Sequence, residues 1–218
     1  MNGEMSVTLK LATSLDGRIA TAGGESRWIT GEPARRAVHQ LRAEHDAVLV
    51  GIETALADDP ELNVRLPGWN GRPPARVVLD SHQRLPADCK LVRTAREIPT
   101  YVVATGEPEA ALVEAGVRVL RVRQVGEDRP ELKTVVQALA AEGLSRIFVE
   151  GGGQVAASFL RCGLVDALEW FRAPIVIGGE GRPGVGALAV AALVDAPHFR
   201  RISFSAVGDD LWERYERI

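Results

Sequence analysis

The chain has 218 residues, 46% apolar and 25% charged, a balance that matches one soluble globular domain with a single well-buried core. Its formal net charge of −3 gives no reason to expect a nucleic-acid partner, since reliance on phosphate-backbone contacts usually shows as a strongly basic face or stretch, although local arginines can still bind a small anion. The opening MNGEMS lacks the features of a secretory signal, and the longest apolar run, 185–194, is half the roughly 20 residues that span a bilayer. The expectation is one domain over 1–218, cytoplasmic and away from membranes. Cys89 and Cys162 stand far apart without Cys-x-x-Cys or Cys/His spacing, which predicts reduced thiols and no metal site.

In chain order, "VTLKLAT" (7–13) alternates. Val7, Leu9 and Leu11 fall on one side of an extended chain and Thr8, Lys10 and Ala12 on the other, which faces either water or a site. "PARRAVHQLRAEH" (33–45) puts Ala34, Ala37, Val38 and Leu41 on one helical stripe, with Pro33 in the first turn. "DAVLVG" (46–51), "RVVLDS" (76–81), "TYVVATG" (100–106) and "RIFVEGGG" (146–153) are continuous apolar runs. Such runs predict strands covered on both faces, hence parallel strands of an α/β sheet. Helical patterns around "EPEAALVEAG" and "PELKTVVQALAAEG" each close on a glycine. After residue 163, the runs 166–178 and 199–218 predict antiparallel strands added at an edge.

Ligands of open α/β sheets bind beyond the carboxyl ends of the strands, which singles out Gly51, Asp80, Ser81, Gly106, Glu150 and Gly151. In "FVEGGGQVAASFL" a buried strand ends on Glu150, passes three glycines and enters a helix near Gln154. The pattern fits either an anion such as a pyrophosphate at a helix start or a tight turn with a solvated glutamate. Three glycines exceed what a turn needs and favour the ligand. "GEGRPG" (179–184) fits G-x-G-x-x-G literally, but Pro183 interrupts it and no helix opens on it, so it reads as a loop. No Walker lysine follows either cluster, and the four histidines have no metal spacing. Arg35 and Arg42 border the apolar stripe of their helix while Arg36 points away, so the first two can reach a neighbouring site.

Taken in order, Lys10, "SLDG", "GESRWIT", "ARR...LR", "LADDPELNVR", "VVLDS" and "VEGGG" resemble the reductase domain of the bacterial bifunctional riboflavin-biosynthesis deaminase/reductase, over nearly the whole chain. The resemblance implies a dihydrofolate-reductase-like fold: a mixed sheet, mostly parallel, with antiparallel C-terminal strands and flanking helices. It also implies a homodimer that uses NADPH to reduce 5-amino-6-(5-phosphoribosylamino)uracil to the ribitylamino compound by hydride transfer to C1′. Cofactor contacts are implied for Ala12, Trp28, Thr54, Asp58, Ser81 and the run Gly152, Gly153, Gln154, Val155, Ala156, Ala157 and Ser158. Substrate contacts are implied for Lys10, Ser26, Arg42, Leu62, Arg65 and Glu150, and hydride transfer to C1′ makes Lys10 and Glu150 the catalytic polar pair, which together orient the sugar hydroxyls and manage the proton. The zinc signature of the deaminase half, H-x-E with P-C-x-x-C, has no match, so neither deamination nor zinc is expected. A reductase of a related diaminopyrimidine, pterin or folate on the same fold, and a catalytically silent nucleotide-binding homologue, are the competing readings.

Overall fold

The computed structural model describes residues 5–27, 29–126 and 129–218. In chain order the elements begin β1 (Ser6–Thr13), β2 (Arg18–Ala20), α1 (Glu32–Glu44), β3 (Ala47–Gly51), α2 (Ile52–Asp58) and β4 (Ala75–Leu79). They continue with α3 (Lys90–Arg93), β5 (Thr100–Ala104), α4 (Ala110–Glu114), β6 (Arg118–Arg121), β7 (Gln124–Val125), β8 (Arg129–Pro130) and α5 (Leu132–Ala141). The last are β9 (Arg146–Val149), α6 (Gly153–Arg161), β10 (Ala167–Arg172), β11 (Arg182–Pro183), β12 (Phe199–Val207) and β13 (Asp210–Arg217). The chain divides into two compact units. One consists, among the described residues, of Met5 and His39–Gly151, the other of Ser6–Val38 and Gly152–Ile218.

The first unit is the parallel sheet predicted from the continuous apolar runs. Its strand order is β9-β3-β4-β5-β6, every neighbouring pair parallel. Val48, Leu49, Val77, Val78, Val102, Val103, Ile147 and Phe148 are all buried, as a strand covered on both faces requires. At the amino ends of the strands, the Asp46 carboxylate accepts the Arg146 N–H (2.8 Å) and the Ser145 N–H (3.1 Å) and so ties β3 to β9. Buried polar residues break the apolar rule at Thr100, on β5, and at Arg76, on β4, which is 1% exposed. Its guanidinium donates to Thr100 Oγ1, Thr94 Oγ1, Leu91 O and Ile98 O at 2.6–3.1 Å, and burial lowers its pKa to about 10.

The predicted stripe of α1 is buried at Ala34, Ala37, Val38 and Leu41, whereas Arg36 is exposed. Helix α5 buries Leu132, Val135, Val136 and Leu139, and the chain leaves it through Gly143 at φ +79°, a left-handed residue of the kind that ends helices.

In the second unit the strand order is β12-β13-β10-β1. Here one expectation is corrected. The run from residue 166 was expected to be antiparallel, but β10 pairs parallel with β1 and only its other edge is antiparallel, to β13. The antiparallel pairing arises from the β12–β13 hairpin, closed by Gly208 and Asp209, because a short turn can join only antiparallel neighbours. The "GEGRPG" stretch forms no dinucleotide turn: Arg182 and Pro183 pair with β2 as β11.

Candidate active site

The predicted residues fall in both units. In the first, β9 carries Glu150 beyond its carboxyl end, where the Glu150 N–H donates to Leu49 O (2.9 Å). The next residue must be glycine, since a Cβ on Gly151 would lie 2.7 Å from Gly51 N. Arg42, near the end of α1, grips the Glu150 carboxylate with two nitrogens, Nε to Oε1 at 2.5 Å and Nη2 to Oε2 at 2.9 Å. This bidentate geometry is the strong form of the pair. The side chains are only 13% and 8% exposed. Burial works against the Arg42 charge, but attraction and hydrogen bonding to Glu150 outweigh it and raise the arginine's pKa.

Arg42 also reaches the segment after α2, donating from Nη1 to Asn63 O at 2.9 Å. That segment is strained: buried Leu62 has φ +50°, a left-handed conformation that costs about 1–2 kcal/mol for a residue with a Cβ. Neighbouring groups hold it. Glu61 Oε2 accepts from Asn63 Nδ2 and from Arg65 Nη1, both at 3.0 Å. His39 Nδ1 lies 3.2 Å from Arg65 N and 3.2 Å from Asn63 O. Asn63 Oδ1 is buried and has no hydrogen-bond partner among the described residues.

At the end of β4, Asp80 is fully buried. Its Oδ2 accepts the Leu85 N–H at 2.9 Å, and its Oδ1 lies 3.7 Å from Arg84 Nε. Burial raises the pKa of this carboxyl. Arg84 pairs with Glu53 as well, at 2.9 Å. Ser81 and Thr54 are half-buried, and Asp58 is exposed at the last residue of α2.

In the second unit, Lys10 and Ala12 are half-buried on β1 while Val7, Leu9 and Leu11 are buried. Lys10 is in register with Glu169 of β10, a buried carboxylate that accepts from Trp212 Nε1 (2.6 Å) and Arg214 Nε (3.0 Å). Helix α6 starts from Gly152 without a side-chain cap, which leaves its first N–H groups suited to an anion. Packing also accounts for the glycine run, because a Cβ on Gly153 would lie 2.4 Å from Pro183 O. Within the predicted cofactor run, Ala156 and Ala157 are fully buried, Gln154 is exposed, and Gly152, Gly153, Val155 and Ser158 are half-buried. Ser26 is half-buried, and Trp28 lies outside the described residues.

Asp16 of "SLDG" is a structural clasp that motif reading left unassigned. It accepts the Ser14 hydroxyl (2.6 Å) and the N–H groups of Ile177 (3.0 Å) and Gly178 (2.8 Å). The Ser14 bond first, then the two backbone bonds, bring its pKa down to about 2.

Residues 5–212 match the family described as the RibD C-terminal domain. The chain belongs to this family. Among RibD family relatives, the riboflavin biosynthesis protein RibD of Actinobacillus pleuropneumoniae is 37% identical over 210 residues, covering 94% of this chain and 55% of that protein. The chain therefore spans about half the length of such RibD relatives. The 2,5-diamino-6-ribosylamino-4(3H)-pyrimidinone 5′-phosphate reductase of Methanothermobacter thermautotrophicus is also 37% identical, covering 96% of both chains. The solved structure of Acinetobacter baumannii RibD superposes with a TM-score of 0.88 at 32% identity, covering 99% of this chain and 58% of that one. The RibD family fold agrees with the predicted α/β class, a mostly parallel sheet with antiparallel C-terminal strands. His39 and Asn63 went unpredicted as site residues. His39 stands three positions before Arg42, so helical spacing alone could have flagged it.

Proposed function

We propose that the chain is an NADPH-dependent reductase of riboflavin biosynthesis, acting on 5-amino-6-(5-phosphoribosylamino)uracil at C1′ of its ribose. The observation that carries this reading is the Glu150 carboxylate, gripped by Arg42 beside the strained Leu62–Arg65 turn, in a chain that matches an archaeal reductase over 96% of both sequences. That relative is named for a diaminopyrimidinone substrate, which supports a second reading in which this chain reduces the same compound.

Bound NADPH supplies the hydride. Ala12, Trp28, Thr54, Asp58, Ser81 and Gly152 to Ser158 are the residues offered to it, and the uncapped start of α6 suits a pyrophosphate. Ser81 and the neighbouring Arg84 offer a hydroxyl and a cation to a 2′-phosphate, the basis for preferring NADPH over NADH. Lys10 and Glu150 orient the sugar and manage its proton, while Ser26, Arg42, Leu62 and Arg65 bind the phosphoribosyl part. Arg42 acts first by fixing Glu150. Arg65, with 61% of its side chain exposed, is the better placed of the two arginines for the 5′-phosphate. The whole chain works as one catalytic domain, in a cytoplasmic homodimer. Support for the dimer comes from the resemblance and from Ile202 and Phe204, exposed on β12. Among the described residues, no helix is long and apolar enough to cross a membrane.

The test is turnover of Glu150→Gln at saturating NADPH. A positioned acid/base group contributes about 100- to 10,000-fold, and a loss of that size with unchanged NADPH affinity is expected. Activity within a few-fold of wild type removes Glu150 from the chemistry.

A further inference from the structure

We propose that His39 is a positioning residue for the Leu62–Arg65 turn, holding the Arg65 backbone through a hydrogen bond that exists only while the imidazole is neutral. The proposal deepens the substrate assignment of Leu62 and Arg65 made above and rests on it. Its hydrogen-bond arm can be tested without substrate.

Two distances define the contact. His39 Nδ1 lies 3.2 Å from Arg65 N, a donor, and 3.2 Å from Asn63 O, an acceptor. One imidazole nitrogen cannot donate and accept at once. Asn63 O already has a donor in Arg42 Nη1, at 2.9 Å, whereas the Arg65 N–H needs an acceptor. Nδ1 therefore keeps its lone pair, and the ring proton sits on Nε2. Protonation reverses this arrangement: Nδ1–H then turns to Asn63 O, and the Arg65 N–H faces a second N–H.

The surroundings favour the neutral ring. Burial disfavours the charged ring most, and Arg42, from the same helix, and Arg65, from the turn itself, add their opposition to a further positive charge; together they lower the histidine's pKa. The contact with Asn63 O and, more weakly, the charge of Glu150 at the end of β9 work the other way but do not outweigh them. Glu61 is engaged with Arg65 and Asn63. The turn needs such support because Leu62 is held in the left-handed region, a conformation that persists only where neighbours impose it. His39 and Arg42, three residues apart on α1, provide that hold from one helix face.

The experiment compares wild type, His39→Leu and His39→Asn. The amide oxygen of asparagine branches from the same carbon as Nδ1, so it restores the acceptor without a titrating group. Expected for His39→Leu is a KM for the phosphorylated substrate raised about 2- to 13-fold, the range of one lost neutral hydrogen bond, with kcat unchanged. His39→Asn should recover the wild-type KM at pH 8. As pH falls below 6.5, the wild-type KM should rise more than that of His39→Asn, which corrects for titration of the substrate phosphate. In nitrogen-15 NMR of the wild-type protein without substrate, Nδ1 should be unprotonated at pH 8, and the Arg65 amide shift should follow the His39 titration. A protonated Nδ1 at pH 8, or an Arg65 amide indifferent to His39, overturns the hydrogen bond and the proposal with it, even if His39→Leu fails to fold. A coupled Arg65 amide with KM unaffected by His39→Leu overturns the positioning role and the assignment of Arg65 to substrate, while the reductase reading stands on the Glu150 test.

Discussion

Removing the guanidinium of Arg42 would leave the Glu150 carboxylate largely enclosed without its bidentate partner. Breaking an enclosed ion pair from one side costs about 3–5 kcal/mol. Arg65 is mostly exposed, and its pair with Glu61 is a surface contact of the kind that contributes about 0–1 kcal/mol. Urea denaturation of Arg42→Ala and Arg65→Ala should therefore separate them: a large loss of stability for the first and almost none for the second. Kinetics should divide them as well, with Arg42→Ala lowering kcat through Glu150 and Arg65→Ala raising KM for the phosphorylated substrate alone. Equal stability losses would contradict the roles given to the two arginines. A further residue-scale prediction concerns Arg84, which follows Ser81 by three positions in the sequence and pairs with Glu53. Arg84→Ala should weaken NADPH binding by about 10- to 150-fold, the range of a hydrogen bond to a charged group, and leave NADH binding nearly unchanged. Fluorescence titration with both cofactors checks this, and an equal loss for both would remove Arg84 from the 2′-phosphate.

At the scale of elements, the clasp of Asp16 on Ile177 and Gly178 joins the loop after β1 to the segment after β10. Its carboxyl has a folded pKa of about 2 against an ordinary 3.8. A depressed carboxyl pKa contributes stability that is complete above the unfolded value and is lost as pH falls through the folded one. Loosening of residues 177–178 is thus expected between pH 3.8 and about 2, with Asp16→Asn already loosened at neutral pH. Hydrogen exchange of the Ile177 and Gly178 amides measures it, and full protection in Asp16→Asn would contradict the clasp. The contrast with the parallel strands explains which elements were legible beforehand. Burial on both faces writes itself into β3, β4, β5 and β9 as unbroken apolar runs, and the stripe of α1 is equally direct. The pairing of β10 with β1 was not legible, because a single strand's pattern does not state which edge it joins or in which direction. The close backbone contacts at Gly151 and Gly153 were also hidden, since they depend on residues distant in sequence.

At the scale of the whole molecule, the family was legible from short motifs in a fixed order, and the match over residues 5–212 agrees with it. Contacts between those motifs were less accessible. "LADDPELNVR" and "ARR...LR" do not reveal that Arg42 would hold Glu150 or that His39 would meet Arg65, because side-chain partners follow from the fold and not from spacing. The central claim is that this chain reduces a phosphoribosylaminopyrimidine with NADPH. The most direct test follows absorbance at 340 nm with NADPH and, in turn, 5-amino-6-(5-phosphoribosylamino)uracil, the diaminopyrimidinone analogue, dihydrofolate and no substrate, with mass spectrometry of the product. The expected result is NADPH oxidation that depends on one of the two phosphoribosylaminopyrimidines, yields the ribitylamino product two hydrogens heavier, and falls about 100-fold or more in Lys10→Met and Glu150→Gln. Oxidation with dihydrofolate alone, or none with either phosphoribosyl compound while NADPH still binds, would contradict it.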